Sequence, residues 1–294
     1  MKGVSNMNHS YVIVTDSGSD LPKYLSDELA VKIIPLSVLV AGETPVDDDL
    51  VDRKGFYDKM RGGKTATTSA INIEKFTSVF EEVLKEGKDV LYLGFSSGLS
   101  STYQASATAA EDLREKYPDR KIVTEDTLCA SLGQGLLVYY AAKLRDEGKS
   151  AEEVAEWVKD NRLKLAHWFT VDSLVYLKRG GRVSAATALV GGMLNIKPVM
   201  HVDDEGHLVK VSTVRGRNAS IKALFDKIEE TAIEPEKQVF YISHGDCLED
   251  AEKLASMIRE KYGDVKVVID YVGAVIGAHS GPGTLALFFL GTVR

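Results

Sequence analysis

Apolar positions along the first half of the chain fall into two alternating textures. Short β-branched runs, such as Tyr11-Val12-Ile13-Val14-Thr15 and the stretch Asp89 to Phe95, stop at polar turns. Between them, apolar residues recur at helical spacing, as in Phe76, Val79, Phe80, Val83 and Leu84, which predict an amphipathic helix over 72–86. The same reading places a helix from Leu21-Pro22 to Leu29, with proline suited to a first turn. It gives a strand from Val31 to Val40, pushed toward an edge or a bulge by Pro35. Further elements are a helix over 102–117, a strand at Lys121 to Thr124 and an apolar helix at Leu132 to Glu147. Ser150 opens one more helix, with Glu153 at capping-box spacing.

Repeated strand–helix units with short buried strands predict a parallel sheet flanked by helices. The second half reads differently. Gly180-Gly181 and Gly191-Gly192 flank a helical stretch, and Lys197 to Val202 pairs with His207 to Val214 across a polar turn. A helix at 220–231, a strand at 238–243, a helix at 248–261 and a strand at 265–271 follow. The expected fold class is therefore two α/β domains, residues 1–165 with a parallel sheet and 166–294 with a mixed sheet, the first ten residues being a tail. A small-molecule site is expected between them.

Composition narrows the function. The chain has 294 residues, 36 Lys and Arg against 43 Asp and Glu, and a formal net charge of −7. Such a chain buries roughly 75% of its unfolded surface and folds without staples. The acidic balance argues against nucleic acid, which requires clustered cations. Cys129 and Cys247 match no metal or redox spacing, and a reducing cytosol is the simplest compartment, giving a cytoplasmic expectation. No apolar run approaches the ~18 residues of a membrane span, so an integral membrane protein is not expected.

Four polar segments sit where strands end. Asp16-Ser17-Gly18-Ser19-Asp20 is either a capping turn or a carboxylate nucleophile or metal ligand. Lys64-Thr65-Ala66-Thr67-Thr68-Ser69 carries more hydroxyls than capping by Ser69 or Asn72 requires, and the surplus suits a polar ligand. Gly94-Phe95-Ser96-Ser97-Gly98-Leu99-Ser100-Ser101 leads into a helix, Ser101 and Gln104 having capping-box spacing. Free amides and hydroxyls there favour an anion. The pattern is neither a nucleophile elbow nor a P-loop. Gly277-Ala278-His279-Ser280-Gly281-Pro282-Gly283-Thr284 places a histidine on tight backbone. Lys178-Arg179-Gly180-Gly181-Arg182 and Arg215-Gly216-Arg217 offer guanidinium groups to an anionic ligand, a partner or solvent.

Val14-Thr15-Asp16-Ser17, Ser96 to Gln104, Arg179 to Ser184, Asn195-Ile196-Lys197-Pro198 and His279-Ser280-Gly281-Pro282-Gly283, in that order, resemble the DegV family of bacterial fatty-acid-binding proteins that serve fatty acid kinase. The resemblance runs from about Tyr11 to Gly291. It implies one long-chain fatty acid with a buried tail, no other cofactor, and a carboxylate held by Thr65, Ser96 or Ser97, and His279. It implies that a separate kinase phosphorylates the bound acid, that the protein then carries the acyl phosphate, and that it is not itself an enzyme. Arg182, Arg215 and Arg217 are the residues expected to meet the head group or the partner. The family pattern Thr-Ser-Gln-Pro-Ser is replaced here by Thr65-Ala66-Thr67-Thr68-Ser69. Leu189, Val190, Met193, Leu194, Phe288 and Phe289 are candidates for tunnel lining, with core packing the favoured role for any single one of them. The rival reading is a hydrolase or phosphotransferase using Asp16 or Ser97.

Overall fold

A computed structural model describes residues 9–188 and 195–294. In chain order its N-terminal half contains β1 (Tyr11–Asp16), α1 (Lys23–Glu28), β2 (Val31–Ile34), β3 (Ser37–Val40), β4 (Val46–Asp47), α2 (Arg53–Arg61), β5 (Ala66–Ser69), α3 (Ile73–Lys85), β6 (Asp89–Gly94), α4 (Thr102–Lys116), β7 (Ile122–Asp126), α5 (Ser131–Asp146) and α6 (Ala151–Asn161). Strands β2-β1-β6-β7 form a parallel sheet. The stretch expected as one strand over 31–40 is two strands in different sheets. Pro35, which has no amide hydrogen to donate, separates them, and β3 joins a small antiparallel sheet of order β4-β3-β5.

The C-terminal half holds β8 (Leu165–Thr170), α7 (Val175–Arg179), α8 (Ala185–Ala188), β9 (Ile196–Val202), β10 (Leu208–Arg215), α9 (Arg217–Thr231), β11 (Phe240–His244), α10 (Leu248–Tyr262), β12 (Val267–Tyr271), α11 (Ala274–Ser280) and β13 (Leu285–Leu290). Its six strands run β10-β9-β8-β13-β11-β12, antiparallel except β11 with β12. The fold is thus α/β, with a parallel and a mixed sheet. Helix α5 lies between the sheets, and Leu132, Leu136 and Leu137 share one core with Ile13 and Leu91 on one side and Ala286 and Phe288 on the other.

Alternation along β13 fixes what each residue does. Ala286 and Phe288 face α5, whereas Leu285, Leu287 and Phe289 pack with Ile221 and Leu224 of α9 and Leu254 and Ile258 of α10. Phe289, a tunnel candidate for which core packing is the favoured role, is core on the opposite face, its ring 6.1 Å from that of Phe240. Phe289→Ala should lower the unfolding free energy by about 3–5 kcal/mol, the usual range for a buried phenylalanine. Urea denaturation measures it, and a loss under about 1 kcal/mol would contradict this placement.

Candidate functional site

A cavity of ≈ 930 Å³, its open mouth included, lies between the two sheets. Leu36, Phe95, Leu99, Phe169, Leu177, Val275, Ile276 and Phe288 supply most of an apolar wall. Thr68, Ser100, Ser101, Arg182, His279 and Ser280 also face it, with Thr68 bonded to His279 and Arg182 bonded to the Leu99 carbonyl beside Ser100. Ser131 and Ser243, hydroxyls 2.9 Å apart, line another part of the wall.

Each polar side chain is placed by its element. Strand β5 alternates, so Thr68 is half-buried while Thr67 and Ser69 are exposed. Helix α11 presents Val275, Ile276, His279 and Ser280 on its cavity face, one turn apart in pairs. Thr68 Oγ1 and His279 Nε2 are 2.8 Å apart and join these two elements. His279 Nδ1 and Ser280 Oγ are buried without a hydrogen-bond partner among the described residues. Gly180 backs the imidazole so closely that a Cβ there would lie 2.1 Å from Nδ1, which only glycine allows. Arg182 donates from Nε and Nη2 to the Leu99 carbonyl at 3.2 and 3.1 Å and from Nη1 to the Gly180 carbonyl. It therefore ties the 95–101 loop to the α7 end and leaves a positive charge at the cavity head. Burial first, and Arg182 second, push the His279 imidazole down to about 4, so it is neutral near pH 7.

The expected capping box at Ser101 does not form. Ser101 occupies the N-cap of α4 without a side-chain cap bond, and Ser100 Oγ accepts from Thr102 N–H instead, at 3.2 Å. Ser101 itself lines the cavity. Such a head, with the hydroxyls of Thr68, Ser101 and Ser280 besides that of Ser100, a neutral imidazole and a guanidinium, can hold a carboxylate through several hydrogen bonds and one favourable charge.

Several positions expected from the sequence to form the site lie elsewhere, each for a simple physical reason. Thr65 precedes β5, and its carbonyl accepts from Ala41 N–H; the residue brought to His279 is Thr68, three positions on. The Thr-Ser pair of the family pattern recurs at Thr68-Ser69, followed by the Asn72 cap of α3, and that register is the signal that identifies Thr68. Ser96 is buried and donates to the Gly206 carbonyl at 2.9 Å, while Ser97 donates its backbone N–H to Asp126 Oδ1 at 3.2 Å. Neither lines the cavity; Ser100 and Ser101 do. Arg182 and His279 are at the head, and Phe288 is in the wall. Arg215 is exposed at the end of β10. Arg217 is engaged in packing, donating to Asp250 Oδ2 at 2.8 Å and to Cys247 Sγ at 3.2 Å. Asp16 is fully buried and does not line the cavity, a poor position for a nucleophile. Leu189, Val190, Met193 and Leu194 lie outside the described residues. Among the described residues, no group of three or more His, Cys, Asp or Glu could hold a metal ion, and no helix is long and apolar enough to cross a membrane.

A profile described as "Uncharacterised protein, DegV family" matches residues 10–292. A DegV domain-containing protein of Clostridium perfringens is 48% identical over 97% of this chain and 98% of its own length. A fatty-acid-binding DegV family protein from Thermus thermophilus superposes with a TM-score of 0.85 at 31% identity, covering 96% of this chain and 99% of that one. The fold is also that of the Streptococcus pneumoniae fatty acid kinase B3 protein loaded with linoleic acid, with a TM-score of 0.85 at 22% identity over 96% and 99% of the two chains. From residue 10 to residue 292, this chain belongs to the DegV family.

Proposed function

We propose that this protein binds one long-chain fatty acid, with the acyl chain in the apolar cavity and the carboxylate at the head formed by Thr68, Ser101, Arg182, His279 and Ser280. The observation that carries this reading is an apolar wall ending in orphaned polar groups beside one positive charge. A carboxylate leaves water only if several donors replace its hydration. Burying about 15 methylenes gains on the order of 12 kcal/mol gross at about 0.8 kcal/mol each, before ordering costs. The tail thus supplies affinity, and the head supplies orientation. The protein then presents the carboxylate to a separate kinase and carries the acyl phosphate onward, with exposed Arg215 at the docking surface. The family resemblance and the binding property of the Thermus relative support this assignment.

Calorimetric titration of the delipidated protein with palmitic acid should saturate at about one molecule per chain; no saturable binding would overturn the reading. Phosphorylation of bound palmitate by a fatty acid kinase should fall at least about tenfold in His279→Ala and Thr68→Val, while Thr65→Val and Ser97→Ala stay near wild type. The reverse ranking would place the head group elsewhere. Gly180→Ala, whose methyl would displace the imidazole, should resemble His279→Ala.

Protonation of His279 gives an independent check. Its folded pKa, about 4, is below the ordinary 6.5, so on acidification the unfolded chain takes up the proton first. This contribution to stability is full above about pH 6.5 and is lost as pH falls through 4. A carboxylate beside the ring favours the imidazolium, so the complex should titrate higher than the free protein. NMR of the His279 ring follows it; an unchanged pKa on adding palmitate would contradict the proposed contact.

A further inference from the structure

Asp16, from the Val14-Thr15-Asp16-Ser17 segment, is a buried carboxylate that the cavity does not use. It ends β1 and is 0% exposed. Oδ2 accepts from the Tyr92 hydroxyl at 2.6 Å and from the Phe95 N–H at 2.9 Å, and Oδ1 accepts from the Gly18 N–H at 2.9 Å. Two of these donors are backbone amides, which can only donate.

Phe95 is the first residue after β6 and opens the loop that leads to the cavity head. Four residues on, the Leu99 carbonyl receives Arg182, and Ser101 then lines the cavity at the start of α4. The middle of the loop has its own anchors, Ser96 on Gly206 and Ser97 on Asp126. Its beginning is joined to the neighbouring strand's end through the Asp16 side chain. We infer that Asp16 is a positioning residue for the head-group pocket: its carboxylate sets where the 95–101 loop leaves the sheet, and thereby where Arg182 and Ser101 meet the ligand's acid group. This inference rests on the fatty-acid reading above. It gives Asp16 no covalent role, since both oxygens are occupied and neither faces the cavity.

The test separates head-group recognition from tail binding. Asparagine at position 16 keeps the shape but offers one carbonyl and one NH2, so either Gly18 N–H or Phe95 N–H faces a second donor. Delipidated protein is titrated with palmitic acid and with hexadecanol, which has the same tail and no carboxylate. In Asp16→Asn the acid-over-alcohol preference should fall about tenfold, while hexadecanol affinity stays within about twofold of wild type. Gly18→Ala provides a second variant if Asp16→Asn does not fold. Its Cβ would lie 2.8 Å from Asp16 Oδ1 and 2.9 Å from Phe95 Cγ, displacing the same joint, and it should shift the preference the same way. Ile13→Val, buried on the same strand, should lower stability and leave the preference alone.

An unchanged preference in Asp16→Asn, or in Gly18→Ala where the former does not fold, overturns the inference. So does a parallel loss of both ligands, or an equal shift in Ile13→Val. Wild-type protein that binds neither ligand, or both equally, would instead refute the fatty-acid reading itself.

Discussion

Helix α11 is seven residues long, too short to persist alone, and its start is fixed by a buried carboxylate from the opposite half of the chain. Asp48 Oδ1 accepts from Val275 N–H at 3.0 Å, while Arg53 pairs with both Asp48 oxygens at 2.8 and 3.3 Å. Asp48 is 1% exposed, so removing its partner would strand a charge in low dielectric, at a cost of about 3–5 kcal/mol. Tyr57 adds a hydroxyl on the Val272 carbonyl at 2.8 Å. The helix so anchored carries four cavity residues, including His279. The acidic run at 47–49 thus has a structural use: one of its members holds the helix that delivers the imidazole.

The head of the cavity holds a local positive charge within an acidic protein. The net charge of −7 describes the whole surface, whereas the field at His279 is set by a single guanidinium and by burial. Arg182 reaches its place because two backbone carbonyls, Leu99 and Gly180, accept from it. Those carbonyls belong to segments far apart in the chain, so the head exists only when both halves are assembled. Hydroxyls at Thr68, Ser101 and Ser280 complete the set without adding charge. On the proposed fatty-acid reading, specificity for an acid over a neutral lipid would depend on backbone placement as much as on the side chains themselves.

Much of the parallel sheet was legible from pattern alone, because β1 and β6 are short apolar runs ending at polar turns and the flanking helices α3 and α6 show clear periodicity and caps. The centre of the mixed sheet was not. Strands β8 and β13 are covered on both faces, so Leu165–Thr170 and Leu285–Leu290 show no alternation to read. Among site residues, His279 and Arg182 stood out beside glycine, whereas Thr68 was hidden within a run of hydroxyls whose register is marked only by its spacing to Asn72 and fixed by β5. Ser96 and Ser97 looked available in sequence. Their contacts with Gly206 and Asp126 are long-range, and no local pattern reports them.

The central claim is the position of one carboxylate. A crystal structure of the protein with bound palmitic acid tests it most directly. The expected density is a single acyl chain along Phe95, Phe169 and Phe288, with its carboxylate within hydrogen-bond distance of Thr68 and His279. A chain running the other way, with its methyl end at His279, or an empty cavity with lipid bound elsewhere, would contradict it.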